Sequence, residues 1–415
     1  MTRPRRVVVT GLGAVTPLGN DVCSTWEAML AGRSGIATFT LFDPEPFQVR
    51  FGGEVKNFRP HPAIDPKEAR RIDRNVHFAV AAAAEALTDA RLEITPDNAD
   101  EVGCVCGTAV GGIKTLVDGQ QVLESRGPER VGPFVLQNLI PDTASGQIAI
   151  SFGAKGHNLA IVSACATGGH AIGEAAEAIR RGDAQAMITG GTEAALIPLV
   201  LAGFTNMRAL ANGNDAPEKA SKPFDARRQG FVMSEGAAMM ILEELEHALG
   251  RGAQIYAELI GYGSTNDAYH LAAPAENGEG AARAMARALR RADLSPRDVD
   301  YVNAHGTGTP LNDRFETAAI KSVFGRHARE LVVSSTKSMT GHMMGAAGAV
   351  EAMVCVKSIV DGVIPPTINL EVPDPECDLD YAPNVRRVRR VDVAMSNALG
   401  LGGHNSCVVF RRFEG

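Results

Sequence analysis

The segment 161–182, IVSACATGGHAIGEAAEAIRRG, changes character near its fifth residue. Apolar and β-branched residues run to Ser163, small residues follow, and from about Gly168 to Arg181 apolar positions recur at helical spacing. The reading is a strand, a tight turn carrying Cys165, and a helix. Such a step is the unit of an α/β fold, and it recurs along the chain. RVVVTG (6–11), EVGCVCGT (101–108), AQAMITGG (184–191), AAMMILEEL (237–245), IYAELIGYG (255–263), VDYVNAHG (299–306), LVVSSTK (331–337), DVAMSNALG (392–400) and SCVVF (406–410) read as strands. Helices are expected over about 24–31, 66–90, 278–291 and 347–360. Apolar strands flanked by helices predict a sheet covered on both faces.

A weak echo runs through the sequence, pairing VVVTGLG with AMSNALGLGG and AQAMITGGTE with VDYVNAHGTGT. No Pro/Ser-rich linker or charge block divides the chain, so two halves, 1–255 and 256–415, are expected to share a broad interface.

The chain has 415 residues, 45% hydrophobic, with 41 basic and 48 acidic side chains and a net charge of −7, which argues against a broad nucleic-acid groove. Seven cysteines at irregular spacing, without a CxxC, fit reduced thiols and a cytoplasmic protein better than a disulfide framework. The most apolar window, near 186–204, is broken by Glu193, Pro198 and glycines, so no membrane span is expected. Nucleotide binding fails on detail. GLGAVT (11–16) lacks the third glycine of a dinucleotide fingerprint, and no GxxxxGK[ST] occurs. The ten histidines show no HExxH and no zinc-like pairing with cysteines, so no metal is expected.

What remains is a constellation. Cys165 stands where a strand breaks into a helix, and the free amides and dipole there are expected to lower its thiol pKa. His305 ends the strand VDYVNAH and opens a glycine loop containing Thr307 and Thr309. His342 lies between a strand and a small-residue helix start, five residues after Lys337. One cysteine and two histidines, each at a strand end, point to one sheet edge and a nucleophilic site.

In RRVVVTGLGAVTPLGN (5–20), ACATGGHAIG (164–173), NAHGTGTPLND (303–313), STKSMTGHMMGAAGAVEA (335–352) and SNALGLGGHNS (396–406), the chain resembles the elongating (type II) β-ketoacyl-acyl-carrier-protein synthases of the thiolase-like superfamily. The resemblance implies an α/β body of five layers, α/β/α/β/α, from two duplicated halves, usually homodimeric. It implies that Cys165 takes an acyl chain from a carrier protein's phosphopantetheine, with backbone N–H groups of Cys165 and Leu401 holding the oxyanion. His305 and His342 would stabilise the enolate formed when malonyl carrier protein loses CO₂, without a resident cofactor. Lys337 would act electrostatically, paired with Glu351. Thr307 and Thr309 match positions that bind the pantetheine arm. Val110 in GTAVGG and Phe204 in LAGFTNMRAL match the acyl pocket, and Lys67, Arg70, Arg71 and Arg208 match carrier-protein docking positions. The run RRVRR (386–390) reads as solvated surface.

Two residues depart from the family pattern. Leu401 stands where phenylalanine commonly gates the pocket, and His404 where many members have threonine, so altered chain-length discrimination is expected. The rival readings are a polyketide ketosynthase of the same fold and a silent chain-length partner; retained Cys165, His305 and His342 argue against the second. A degradative thiolase would need a second catalytic cysteine, and Cys407 lies within a strand instead.

Overall fold

The structure, a computed structural model, describes residues 5–415. Ten strands build the main sheet: β1 (Val7–Val15), β2 (Val102–Gly107), β3 (Asn158–Ile161), β4 (Ala186–Glu193), β5 (Gly236–Glu244), β6 (Ala257–Asn266), β7 (Tyr301–Asn303), β8 (Val332–Ser334), β9 (Val393–Gly400) and β10 (His404–Arg412). The longer helices are α1 (Val22–Leu30), α2 (Arg74–Ala90), α3 (Ile113–Arg126), α4 (Thr143–Phe152), α5 (Thr167–Arg181), α6 (Pro198–Asn206), α7 (Glu279–Arg291), α8 (Pro310–Phe324) and α9 (Ala347–Asp361).

Strand order shows the duplication directly. The sheet runs β8-β7-β9-β10-β6-β1-β5-β4-β2-β3. Numbered within its own half, each five-strand set has the order 3-2-4-5-1, with the first two pairings parallel and the last two antiparallel. The sets meet where Val8 and Val9 of β1 pair with Glu258 and Ala257 of β6. By position, β1 answers to β6 and β4 to β9. The expected duplication is present, but the sequence echo paired the wrong strands, because strand-then-glycine recurs at several positions. The true counterpart of Gly11 and Gly13 is Gly261 and Gly263. In both halves these glycines let a helix lie on the strand, since a Cβ at Gly13 would stand 1.9 Å from the Ala82 carbonyl and one at Gly263 2.0 Å from that of Ala284.

Alternation along the strands fills three cores. Met187 points to a central core with Ile172, Ile179, Val350, Val354, Val408 and Phe410. Its neighbour Ile188 points to an outer one under α2 and α4, and Val409 to the other outer core under α7 and α8. Helices α5 and α9 thus form the middle of five layers. Their close crossing depends on small residues: a Cβ on Gly168 would lie 2.6 Å from the Ala349 nitrogen, and one on Gly348 2.8 Å from that of Gly169.

Helix α2 begins at Arg74 rather than near residue 66, because 66–72 folds as turns and Asp73 provides the cap. Helices α3, α4, α6 and α8 were not expected. Among the described residues no helix is long and apolar enough to cross a membrane.

Candidate active site

The strand-to-helix steps at β3 and β8 occupy matching places in the two halves, and each feeds a central helix. The first carries Cys165 in a 3₁₀ turn, Ala164–Ala166, directly before α5. Ala164 holds φ +50°, a strained value for a residue with a side chain. The Ser163 amide donates to Thr167 Oγ1 at 2.9 Å and closes the turn. The second step carries Lys337 in the short helix Lys337–Thr340 and His342 just beyond it. The His342 backbone is clamped to β-bridge geometry, donating to the Val232 carbonyl at 2.7 Å and accepting from the Ser234 amide at 3.0 Å.

His305 follows β7 on a loop that glycines shape, Gly306 at φ +37° and Gly308 at φ +80°. Two acids of the following helix hold that loop. Glu316 accepts from the amides of His305 and Gly306, both at 2.8 Å, and Asp313 accepts from those of Gly308 at 3.1 Å and Phe224 at 2.8 Å. Burial pushes the Glu316 carboxyl up to about 7 against these donors.

These elements converge on a cavity of about 660 Å³. Cys165, His305, His342, Thr307, Thr309, Leu401, Val110, Phe204 and Arg208 all line it. Lys337 and Glu351 do not reach the surface; they lie buried beneath the histidines as an ion pair. Lys67, Arg70 and Arg71 are exposed on the turns before α2, outside the cavity lining. The arginines of 386–390 lie at the surface beside acids, Arg387 with Asp380 and Arg390 with Asp392.

The imidazoles of His305 and His342 meet edge to face, 5.3 Å between centroids. Lys337 Nζ sits 3.3 Å from His305 Nδ1. An ammonium can only donate, so Nδ1 is the bare acceptor and the proton of His305 is on Nε2. Burial, with the Lys337 charge and the neighbouring His342, holds His305 well below the usual histidine range, and burial with Lys337 does the same for His342. Both rings are neutral donors at pH 7. Phe231 packs edge-on against His342 at 5.4 Å, and Phe204 against Phe231 at 5.2 Å, so an aromatic stretch of the cavity wall abuts the histidine pair.

The thiol corrects an expectation. Burial pushes Cys165 up to about 11, outweighing the Lys337 charge and the Leu401 N–H bonded to it, which both pull it down. At that value the group is a thiol at pH 7.

Sequence reasoning missed the supports. Asp313 and Glu316, three residues apart in the helix after His305, share one face of it and could have been found by that spacing. Glu193, buried at the end of β4, accepts from Thr108 Oγ1 at 3.0 Å and from the amides of Ala109 at 2.8 Å and Gly345 at 3.1 Å. It joins the Val110 loop to the His342 loop, a long-range contact with no local signal.

A cysteine at a helix start thus shares one largely apolar cavity with two neutral histidines, and comparison with known proteins gives the class of protein that carries such a site. Family models for the β-ketoacyl synthase N-terminal and C-terminal domains match residues 4–248 and 256–371. The chain belongs to the β-ketoacyl synthase family. It is 53% identical to 3-oxoacyl-[acyl-carrier-protein] synthase 2 of Synechocystis sp. over 99% of both chains, and 52% identical to that of Staphylococcus aureus over the whole of both. Like these full-length relatives it is a condensing enzyme of the acyltransferase class, a synthase of the type II kind acting in fatty-acid synthesis. Among solved structures, a β-ketoacyl synthase from Burkholderia phymatum superposes with TM-score 0.91 at 34% identity, over 99% of this chain and all of the other. A type II polyketide ketosynthase in complex with its acyl-carrier protein does so equally well, at the same identity and coverage.

Proposed function

We propose that Cys165 is the nucleophile and that His305 and His342 are the enolate donors of this condensation. Cys165 Sγ attacks the acyl-phosphopantetheine thioester of a carrier protein, and its proton leaves on the pantetheine sulfur. The tetrahedral oxyanion is held by the N–H groups of Cys165 and Leu401. Malonyl carrier protein then enters; its carbon–carboxylate bond breaks, CO₂ departs, and the electron pair becomes an enolate hydrogen-bonded by His305 and His342. The new carbon–carbon bond forms at the acyl carbonyl and Cys165 leaves as thiolate, taking up a proton. The product is a β-ketoacyl chain two carbons longer.

The observation that carries this reading is the Lys337–His305 contact, which leaves the His305 Nε2–H as the ring's donor. Thr307 and Thr309, with hydroxyls 3.0 Å apart on the cavity wall, suit a pantetheine arm. Val110, Phe204 and Leu401 form apolar walls for the acyl chain. The arm arrives on the carrier protein, and no step is assigned to a resident cofactor.

The carrier protein docks on the exposed Lys67, Arg70 and Arg71 and on Arg208 at the cavity. A cytoplasmic homodimer completes the reading. Strand β3 is a sheet edge with Leu159 exposed, α3 buries none of its residues, and Leu136 and Ile150 are each 76% exposed nearby in sequence. Such unpartnered apolar surface suits a second copy.

Mass spectrometry of the protein mixed with acyl carrier proteins of graded chain length tests the chemistry. Acyl mass on Cys165, discharged by malonyl carrier protein into a product two carbons longer, is expected. Acylation at another residue, or none across the series while polyketide starters load, would reject the fatty-acid reading.

A further inference from the structure

His170 lies five residues beyond Cys165 on α5, buried behind the nucleophile, and takes no part in the chemistry above. Its Nδ1 is 2.7 Å from Ser163 Oγ, in the residue that opens the strained turn of Cys165. Its Nε2 is 3.3 Å from the backbone carbonyl of Asn405 and 3.1 Å from Ser264 Oγ. A carbonyl can only accept, so the proton is on Nε2, and the Ser163 hydroxyl donates to the bare Nδ1. Burial pushes His170 down to about 4, which keeps this neutral tautomer at working pH.

The two partners belong to different segments. Ser163 is in the turn that presents the Cys165 amide. Asn405 follows the loop Gly400–His404 that presents the Leu401 amide, and its side chain ties that loop down, donating to Asp267 Oδ1 at 2.7 Å and to the Gly403 carbonyl at 3.1 Å. The segments also touch without a spacer: a Cβ at Gly400 would stand 2.8 Å from the Ser163 carbonyl and 3.1 Å from the Cys165 nitrogen. One imidazole bridges both.

We propose that His170 is a positioning residue that holds the two backbone donors of the oxyanion pocket in register, through Ser163 on the Cys165 side and Asn405 on the Leu401 side. The proposal rests on Cys165 being the acylated residue, and it concerns acyl transfer only. The donors for the malonyl enolate, His305 and His342, are fixed by Lys337, Val232 and Ser234 and owe nothing to His170.

The test separates the half-reactions in the full-length protein. Acyl transfer is read as single-turnover loading of Cys165 from an acyl carrier protein. Decarboxylation is read as CO₂ release from malonyl carrier protein by enzyme whose Cys165 has been alkylated. Ser163→Ala, which removes one hydroxyl and is the variant most certain to fold, should slow loading by roughly tenfold or more while decarboxylation stays within about twofold. His170→Gln, whose amide can reach the Asn405 carbonyl but not Ser163, should match it, and adding Ser163→Ala to it should cost nothing further. His170→Asn, whose carbonyl replaces the Nδ1 acceptor, should recover part of the loss. Equal falls in both half-reactions, or unchanged loading in Ser163→Ala, would overturn the proposal. A parent enzyme acylated elsewhere than Cys165 would instead bring down the assignment of the nucleophile, and the proposal with it.

Discussion

At Cys165 the competition between burial and charge has a measurable consequence. With the thiol pushed up to about 11, the thiolate fraction grows about tenfold per pH unit through the neutral and mildly alkaline range. Inactivation by iodoacetamide should therefore accelerate steadily from pH 7 to 9.5, and a plateau below pH 8 would show that the helix terminus and Lys337 outweigh desolvation. Leu401, 39% exposed at the cavity, carries the second prediction at this scale. Leu401→Phe keeps the backbone N–H but enlarges the plug, so loading should shift among acyl carrier proteins by about 10- to 100-fold between best and worst chain lengths, with decarboxylation unchanged. Identical loading profiles in both proteins would refute it. The residues legible in the sequence were those whose neighbours in sequence are also their neighbours in space: Cys165 before its helix, His305 in its glycine loop, Lys337 and His342 on one turn. Glu193 and His170 were not, because apart from Ser163, seven residues before His170, their partners lie 84 to 235 residues away.

Elements bring these residues together, and the crossing of α5 on α9 is the joint. Both helix starts adjoin segments that line the cavity, so any side chain that separates them moves Cys165 relative to His342. A Cβ at Gly168 would meet backbone atoms, the Ala349 nitrogen at 2.6 Å and the Gly345 carbonyl at 3.0 Å, which cannot rotate away. Gly168→Ala should destabilise by about 1–3 kcal/mol and lower condensation more than carrier-protein binding; thermal melts and paired kcat and KM values would check both, and an unchanged enzyme would mean the crossing is loose. The same glycine-rich motifs made the strands and central helices readable. Helix α3 was not, since it buries none of its residues fully and touches a core only through Ile113. Helix α8 was missed despite its signal, Thr309 before Pro310 at the first helical position.

Across the whole molecule, chemistry and anchorage sit at opposite ends of the N-terminal sheet. In the β4–β5 ladder Glu193 pairs with Gly236 at the end towards the cavity and Ala186 with Glu243 at the far end. Glu243 is fully buried there and accepts from Thr10, from His247 Nδ1 at 2.7 Å and from Arg251, whose guanidinium also reaches the Ala90 and Arg91 carbonyls at the end of α2. One carboxylate therefore ties β1, β5 and α2. Arg251, His247 and Thr10 together outweigh the burial cost and bring Glu243 down to about 2 from an ordinary 4.5. A carboxyl lowered on folding adds stability above its unfolded pKa and loses it as pH falls towards the folded one, here between about 4.5 and 2. The shift corresponds to roughly 3 kcal/mol at pH 7. Glu243→Gln should lose about that much in urea unfolding at pH 7, with the gap to the parent narrowing by about 1 kcal/mol at pH 4. Specific activity at pH 7, measured well below the transition, should stay at the parent's level, because nothing in this cluster reaches the cavity. A gap independent of pH would mean that shape, rather than charge, makes Glu243 hold the sheet together.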